Sequence, residues 1–191
     1  QKEDQNKLYE ISYDHVSKPT LRRRKHARSW KYGYDEKYDM VVISKTGKIG
    51  DVYKIQGLYV ALPYHEGNAY KRDSRKEKQY WERKELPKPL EKIKTIFQWN
   101  EMPSSFKNQW INYIESEFDK REQGYWFSNN GKPTYVTGSH YMYCQWTKID
   151  IGYPDFREAN RILYLFWEAC KADNRSFGMN YSKIRRSGFS Y

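Results

Sequence analysis

The chain has 191 residues, with 35 Lys and Arg against 24 Asp and Glu, so it carries a net charge of +11. No apolar run approaches the length that spans a membrane, and two cysteines, Cys144 and Cys170, cannot build a disulfide scaffold. The excess of cations points to a polyanionic partner such as a nucleic acid or a nucleotide, and the paucity of cysteine points to a reducing compartment.

Aromatic residues make up 18% of the chain, with 19 Tyr and 7 Trp. Such rings cover small or irregular cores and also stack on bases. With few aliphatic residues to fill a deep interior, thin layers with many half-exposed rings are expected. The chain opens on Gln1 and ends one residue after Ser190, and both ends read as cut.

Residues 1–37 read as a basic N-terminal arm. Its densest part, LRRRKHARSWK at 21–31, offers Arg22, Arg23, Arg24, Lys25, Arg28 and Lys31 to phosphates, and Trp30 to a base. Residues 38–70 read as a small β-rich region, an antiparallel meander. Tyr38, Met40 and Val42 alternate, Lys45-Thr46-Gly47-Lys48 forms a hairpin turn, and strands follow at 52–55 and 58–62, broken by Gly57. A cationic small β-barrel that binds nucleic acid has the same texture. A non-enzymatic nucleic-acid-binding module is therefore the alternative reading.

Residues 71–100 read as a charged linker and a short helix. The run KRDSRKEK at 71–78 has almost nothing to bury, and Pro87 and Pro89 follow. Leu90, Ile93, Ile96 and Phe97 then fall on one face of a helix over 90–99.

Residues 101–191 form the last region. Pro103 and Ser104 or Ser105 start a helix whose Phe106, Trp110, Tyr113, Ile114 and Phe118 make an apolar stripe, with Glu115, Glu117, Asp119 and Lys120 on the wet side. Gly124 ends it. Asn130-Gly131 between two aromatic runs is a hairpin signal. A short helix at 140–146 carries His140 as a packed residue rather than a ligand or base. A further helix starts at Pro154-Asp155, with Asp155 as cap and Glu158 closing a capping-box-like pattern. It runs through Ile162, Leu165 and Cys170 to Asp173 or Asn174.

A β-like run over 179–182 leads to Lys183-Ile184-Arg185-Arg186-Ser187-Gly188-Phe189-Ser190. Glycine, cations and a hydroxyl in a tight turn are what a phosphate-cradling loop needs. Against G-x-x-x-x-G-K-[ST], Gly188 and Ser190 fit. Phe189 stands at the lysine and Lys183 at the first glycine.

This string resembles the deviant Walker A loop of the large subunits of phage terminases, the ATP-driven DNA-packaging motors. Phe156-Arg157-Glu158-Ala159-Asn160-Arg161 resembles their adenine-recognising Q-motif helix, with Asn160 where glutamine is commoner. Residues 124–146, GYWFSNNGKPTYVTGSHYMYCQW, are similar to the segment that precedes the ATPase core in terminases of crAss-like phages. The likeness covers about residues 100–191.

The resemblance implies an α+β chain. Its small antiparallel β-rich N-terminal part is followed by helices and a β-hairpin that lead into the first strand and P-loop of a truncated P-loop ATPase α/β fold. It implies ATP and Mg²⁺ as cofactors. Lys183, Arg185, Arg186, Gly188 and Ser190 would hold the phosphates, Ser190 would also serve the Mg²⁺, and Phe156, Arg157 and Asn160 would frame the adenine. It implies double-stranded DNA, a portal protein and a small terminase subunit as partners, a homo-oligomeric ring on the portal, and the host cytoplasm during virion assembly as the setting. The family's Walker B strand, catalytic glutamate and nuclease lie beyond Tyr191. The full-length protein would be an ATPase and endonuclease, and this piece alone inactive, with no catalytic residue of its own.

Overall fold

The computed structural model describes residues 30–65, 81–129, 132–150 and 152–182. They form an α+β arrangement in which one helix joins two small cores.

Four strands make the first sheet: β1 (Gly33–Asp35), β2 (Met40–Val42), β3 (Ile49–Ile55) and β4 (Leu58–Pro63), in the order β1-β2-β4-β3. β1 and β3 each pair antiparallel with their neighbour, but β2 and β4 run parallel, with Val41 opposite Val60. The antiparallel meander expected from the sequence is thus corrected to a mixed sheet. Strand β2 is central, paired with β1 on one side and with β4 on the other, and all three of its residues are buried; which strands lie beside it is long-range pairing that local periodicity does not carry. Alternation of Tyr38, Met40 and Val42 reports one face only. The Lys45–Lys48 segment does turn, with Gly47 at φ 74°, but it is not a hairpin. It carries the chain past the place that β4 later fills. Ser44, fully buried, fastens it by donating to the Lys48 carbonyl at 2.6 Å. The hairpin is at Gln56-Gly57, both with positive φ (50° and 83°), as a two-residue turn between twisted strands requires. β1 and β3 are the two edges, so the sheet is open rather than a barrel.

One face of this sheet, with Val41, Ile43, Ile55, Val60 and Leu62, packs against Leu165, Ala169 and Ala172 of the last helix and against Tyr135. The other face, with Met40, Val42, Val52 and Ala61, is covered by Trp30, Tyr38 and Tyr59. Trp30 meets Tyr38 edge-on at 4.9 Å. It is packed on the sheet, not held out from a basic arm.

The next segment holds three helices. α1 (Lys88–Glu91) and α2 (Ile96–Glu101) replace the single helix expected over 90–99. The break is made by Thr95, extended at φ −134°, whose hydroxyl accepts from the Gln98 N–H while the Gln98 side chain accepts from the Thr95 N–H. This reciprocal cap outcompetes continuation of the helix. Leu90 is buried, but Ile96 and Phe97 are 65% and 75% exposed, so the expected apolar face is not a core. α3 (Ser104–Gln123) begins after Pro103 and ends at Gly124, φ 86°, as expected. Its stripe is only half-buried. Trp99, Phe106, Trp110 and Tyr113 touch in series with centroids 6.3–6.4 Å apart, and Phe118 is exposed.

β5 (Tyr125–Asn129) and β6 (Lys132–Val136) form the second sheet, a hairpin with Asn129 opposite Lys132. That register leaves two residues for the connection, in keeping with the Asn-Gly signal, although 130 and 131 lie outside the described residues. α4 (Gly138–Gln145) starts at Thr137, whose hydroxyl accepts from the His140 N–H at 3.3 Å. α5 (Glu158–Ala172) starts later than the sequence suggested. Asp155 does not cap it. Its carboxylate accepts from the Trp81 N–H at 3.4 Å instead, and no side chain caps Arg157, the residue at the cap position. At the other end Asp173 is the cap, with φ −82° and ψ 109°, so Asn174 in a left-handed turn is not used. Residues 179–182, expected as a strand, have no regular structure.

α3 and α4 touch backbone to backbone. A Cβ on Gly138 would overlap the Arg121 carbonyl, and that carbonyl belongs to a helix held on the same side by Glu117. Replacing Gly138 with Ala must therefore separate the two helices. Gly138→Ala is expected to destabilise the fold by about 1–3 kcal/mol, the usual cost of overpacking, measured as a lower urea midpoint with an unchanged slope.

Candidate functional site

Lys183, Arg185, Arg186, Gly188 and Ser190, expected in a phosphate loop, lie outside the described residues, as do Arg22, Arg23, Arg24, Lys25 and Arg28. Lys31 is described and exposed, just ahead of β1. The Mg²⁺ expectation rests on Ser190 and shares its position outside. Among the described residues no group of three or more His, Cys, Asp or Glu could hold a metal ion, and no helix is long and apolar enough to cross a membrane.

What the structure does place is the helix that precedes these residues in the chain. Phe156, Arg157 and Asn160 come together at the start of α5, but they differ in access. Arg157 is exposed, whereas Asn160 and Phe156 are buried at 5% and 1%. The Phe156 ring meets Phe127 edge-on at 5.0 Å and lies nearly parallel to His140 at 5.5 Å. It belongs to the aromatic core formed with Trp81, Val136, Tyr141 and Cys144, rather than offering an open shelf. Arg161 on the next position is bound through two nitrogens to Glu158, at 2.9 and 2.6 Å.

α5 is 15 residues long, about 22 Å at the rise of an α-helix. The ten residues 173–182 can span at most about 33–36 Å, enough to return the chain to the start of α5. The first of them are tied down. Arg175 binds the Asp173 carboxylate at 3.0 and 2.9 Å and lies 3.2 Å from the Tyr34 ring centroid in β1. The guanidinium holds the Asp173 carboxyl below the usual range.

Three buried polar side chains bind distant segments into the fold. Glu117, expected on the wet side of α3, is buried, and this corrects the sequence reading. Its carboxylate accepts from Tyr141 Oη at 2.5 Å, Trp146 Nε1 at 3.1 Å and Lys120 Nζ at 2.6 Å. Burial pushes its pKa upward, but those donors more than offset this and hold it below the usual carboxylate value. The sequence signal existed: Glu117 lies four residues after Tyr113 and seven after Trp110, on the same helical face. Gln145 accepts from Trp81 Nε1 at 3.0 Å and donates to the Lys84 carbonyl at 2.5 Å. Glu168 accepts from Tyr32 Oη at 2.9 Å. The last two carried no signal, because their donors are more than 60 residues away in the chain.

His140 is a packed residue, as the sequence suggested. It is fully buried between Tyr164, 4.9 Å away and nearly parallel, and Phe156. Among the described residues neither ring nitrogen finds a hydrogen-bond partner. Burial, with the Arg161 charge in support, pushes its pKa down to about 3. It is therefore neutral at neutral pH and no base. Cys144 is no nucleophile, since burial pushes its thiol up to about 12. No family model, curated protein or solved structure matches the chain.

Two outcomes follow from these groups. The unfolded chain takes up a proton at His140 below about pH 6.5, while the folded chain does not until about pH 3. Stability contributed by neutral His140 is thus present above 6.5 and falls as pH drops toward 3. The loss between pH 7 and pH 4 is on the order of 3 kcal/mol. His140→Phe is expected to flatten that part of a stability-against-pH profile measured by denaturant titration. Glu117→Ala strands the Tyr141 and Trp146 donors and is expected to cost roughly 2–4 kcal/mol at pH 7, read from the same titration.

Proposed function

We propose that the chain is the N-terminal part of a terminase large subunit, an ATP-driven motor that packages double-stranded viral DNA into a procapsid. The observation that carries the reading is the string Lys183-Ile184-Arg185-Arg186-Ser187-Gly188-Phe189-Ser190, preceded by the segment 156–161 at the start of a helix. Helix α5 and the length of the connection after it support the reading, because they allow the start of the helix and the loop to serve one nucleotide.

In this reading Lys183 reaches the β- and γ-phosphates from the start of the loop. Attraction between an ammonium and a phosphate needs reach, not a fixed place after the glycine. Arg185 or Arg186 neutralises charge that develops on the γ-phosphate. Gly188 lets the backbone close on the anion, and the Ser190 hydroxyl joins the Mg²⁺ shell when nucleotide is bound. The adenine-framing role narrows. Phe156 is spent in the core and Asn160 is buried, so Arg157 is the member of the trio that is open to a ligand. Walker B, catalytic glutamate and nuclease would follow Tyr191, and hydrolysis with them. The portal, the small subunit and a homo-oligomeric ring would be the assembly partners, in the host cytoplasm.

The alternative, a self-standing nucleic-acid-binding β-module over residues 1–70, gains no support from the fold. Its sheet shares one face with Leu165, Ala169 and Ala172, and cut off at residue 70 it would expose Val41, Ile43, Val60 and Leu62 to water.

The test is binding of a non-hydrolysable ATP analogue with Mg²⁺ to the chain extended past Tyr191. Lys183→Ala is expected to weaken binding by about 10–100-fold, the value of one charge-assisted contact. Equal affinity of the two proteins overturns the assignment of Lys183.

A further inference from the structure

The first sheet has a second face, turned away from α5. Side chains alternate along its strands, so one row across this face reads Asp35, Met40, Tyr59 and Lys54, and the next reads Gly33, Val42, Ala61 and Val52. Met40, Val42, Val52 and Ala61 are buried, with Trp30, Tyr38 and Tyr59 packed against them. Among the described residues no helix residue joins this layer. The cover is therefore one ring thick, and all three rings are only half-buried.

Two of these rings have an ammonium group beside them. Lys37 Nζ lies 5.5 Å from the Tyr38 centroid, and Lys54 Nζ lies 5.6 Å from that of Tyr59. Lys48 is exposed and follows Gly47, whose carbonyl accepts the Trp30 N–H at 2.9 Å. Among the described residues none of these three lysines forms an ion pair. The acidic residues beside them are partly engaged. Asp35 Oδ1 accepts from the Lys37 N–H at 3.0 Å and Asp39 Oδ1 from Tyr34 Oη at 2.8 Å, while Glu36 is exposed.

Rings with unpaired ammonium groups next to them match both halves of a single-stranded nucleotide. A base stacks on the ring and a phosphate takes the cation. A lysine near an exposed ring is held less strongly than a base stacks on the same ring, so it can leave the ring for a phosphate. A duplex keeps its bases stacked on one another and cannot use the rings.

We propose that this face binds single-stranded nucleic acid, with bases on Trp30, Tyr38 and Tyr59 and phosphates on Lys37, Lys48 and Lys54. The sheet does so in place, with its other face still packed on α5, and need not stand alone. The inference goes beyond the motor reading and does not rest on the nucleotide loop.

The test uses the full chain. Ultraviolet cross-linking to an oligo(dT) strand of about 12 nucleotides, within the site size of a small β-fold, is expected to leave adducts on Trp30, Tyr38 or Tyr59, read by mass spectrometry. In fluorescence anisotropy with the same strand, K37Q/K54Q is expected to bind about tenfold more weakly and to lower the slope of log K against log salt by roughly 0.7 for each lysine removed. Neither lysine is buried, so its urea midpoint is expected to stay unchanged. Tyr38→Leu keeps an apolar side chain over the sheet and is expected to weaken binding about tenfold with the salt slope intact, as lost stacking requires. Adducts confined to other residues overturn the proposal. So does equal affinity of K37Q/K54Q and the parent, or a duplex of the same length that binds as tightly as the strand.

Discussion

The closeness of α5 to the first sheet is the constraint on which the rest depends. Ala169 and Ala172 present almost no side chain, so the helix backbone comes down onto the strands. At its end a Cβ on Gly33 would stand only 3.3 Å from the Ala172 carbonyl. Leu165 fills the space one turn earlier, fully buried among Val41, Ile43, Val60 and Leu62. Each of these aliphatic side chains is worth about 1.5–3 kcal/mol of burial. They are contributed by segments more than 100 residues apart, so the contact cannot be divided between an N-terminal and a C-terminal unit. The same helix turns its first two turns toward the aromatic core, where Tyr164 lies on His140. α5 therefore fixes the distance between the two cores as well as completing one of them.

A chain with few aliphatic residues needs other means of holding its layers. Here aromatic side chains supply the buried area and their polar tips supply direction. Tyr32, Trp81, Tyr141 and Trp146 each donate to a buried acceptor on another element: Glu168, Gln145 and, for the last two, Glu117. A buried carboxylate alone would be expensive, but one that accepts three donors is satisfied. Not every buried polar tip is satisfied: among the described residues Trp110 Nε1 and both ring nitrogens of His140 find no hydrogen-bond partner, and the neutral His140 imidazole is tolerated because it sits flat between two rings. The polar ties and the rings thus do together what a larger aliphatic core does elsewhere.

What the sequence made legible follows from how local each cause is. The hairpin at 125–136 and the end of α3 at Gly124 depend on residues within a few positions, and both came out as read. Gly124 is required twice over, since its φ is 86° and a Cβ would strike the Tyr135 hydroxyl, which donates to the Gln123 carbonyl at 2.8 Å. The parallel pairing of β2 with β4 depends on which strands come to lie side by side, and periodicity in one strand does not carry that. Asp155 looks like a helix cap because Asp commonly is one, yet Trp81, 74 residues earlier, takes its carboxylate. Ile96 and Phe97 have helical spacing without a partner surface, and spacing alone does not say that a face is covered. Of the candidate site, Arg157 stands open at the start of α5 while Phe156 is withdrawn into the core. That difference is set by His140 and Phe127, both distant in sequence.

The strength of the bonds changes abruptly after Ala172. Up to that point α5 is held by buried apolar contacts and by Glu168, whose side chain is 8% exposed. Beyond it, the chain is held by the Asp173 N–H on the Ala169 carbonyl, by a turn from Ser176 to Asp173, and by Arg175 on Asp173 and Tyr34. The Arg175 side chain is 50% exposed, and ion pairs at that exposure contribute about 0–1 kcal/mol. Phe177, fully exposed, adds no packing. The contact that Arg175 makes with β1 is therefore a solvent-exposed one, of the kind that a competing charge of modest size can replace. A firm helix is thus followed by a short stretch in which Arg175, lying over Tyr34, is the contact made with the first sheet among the interactions described.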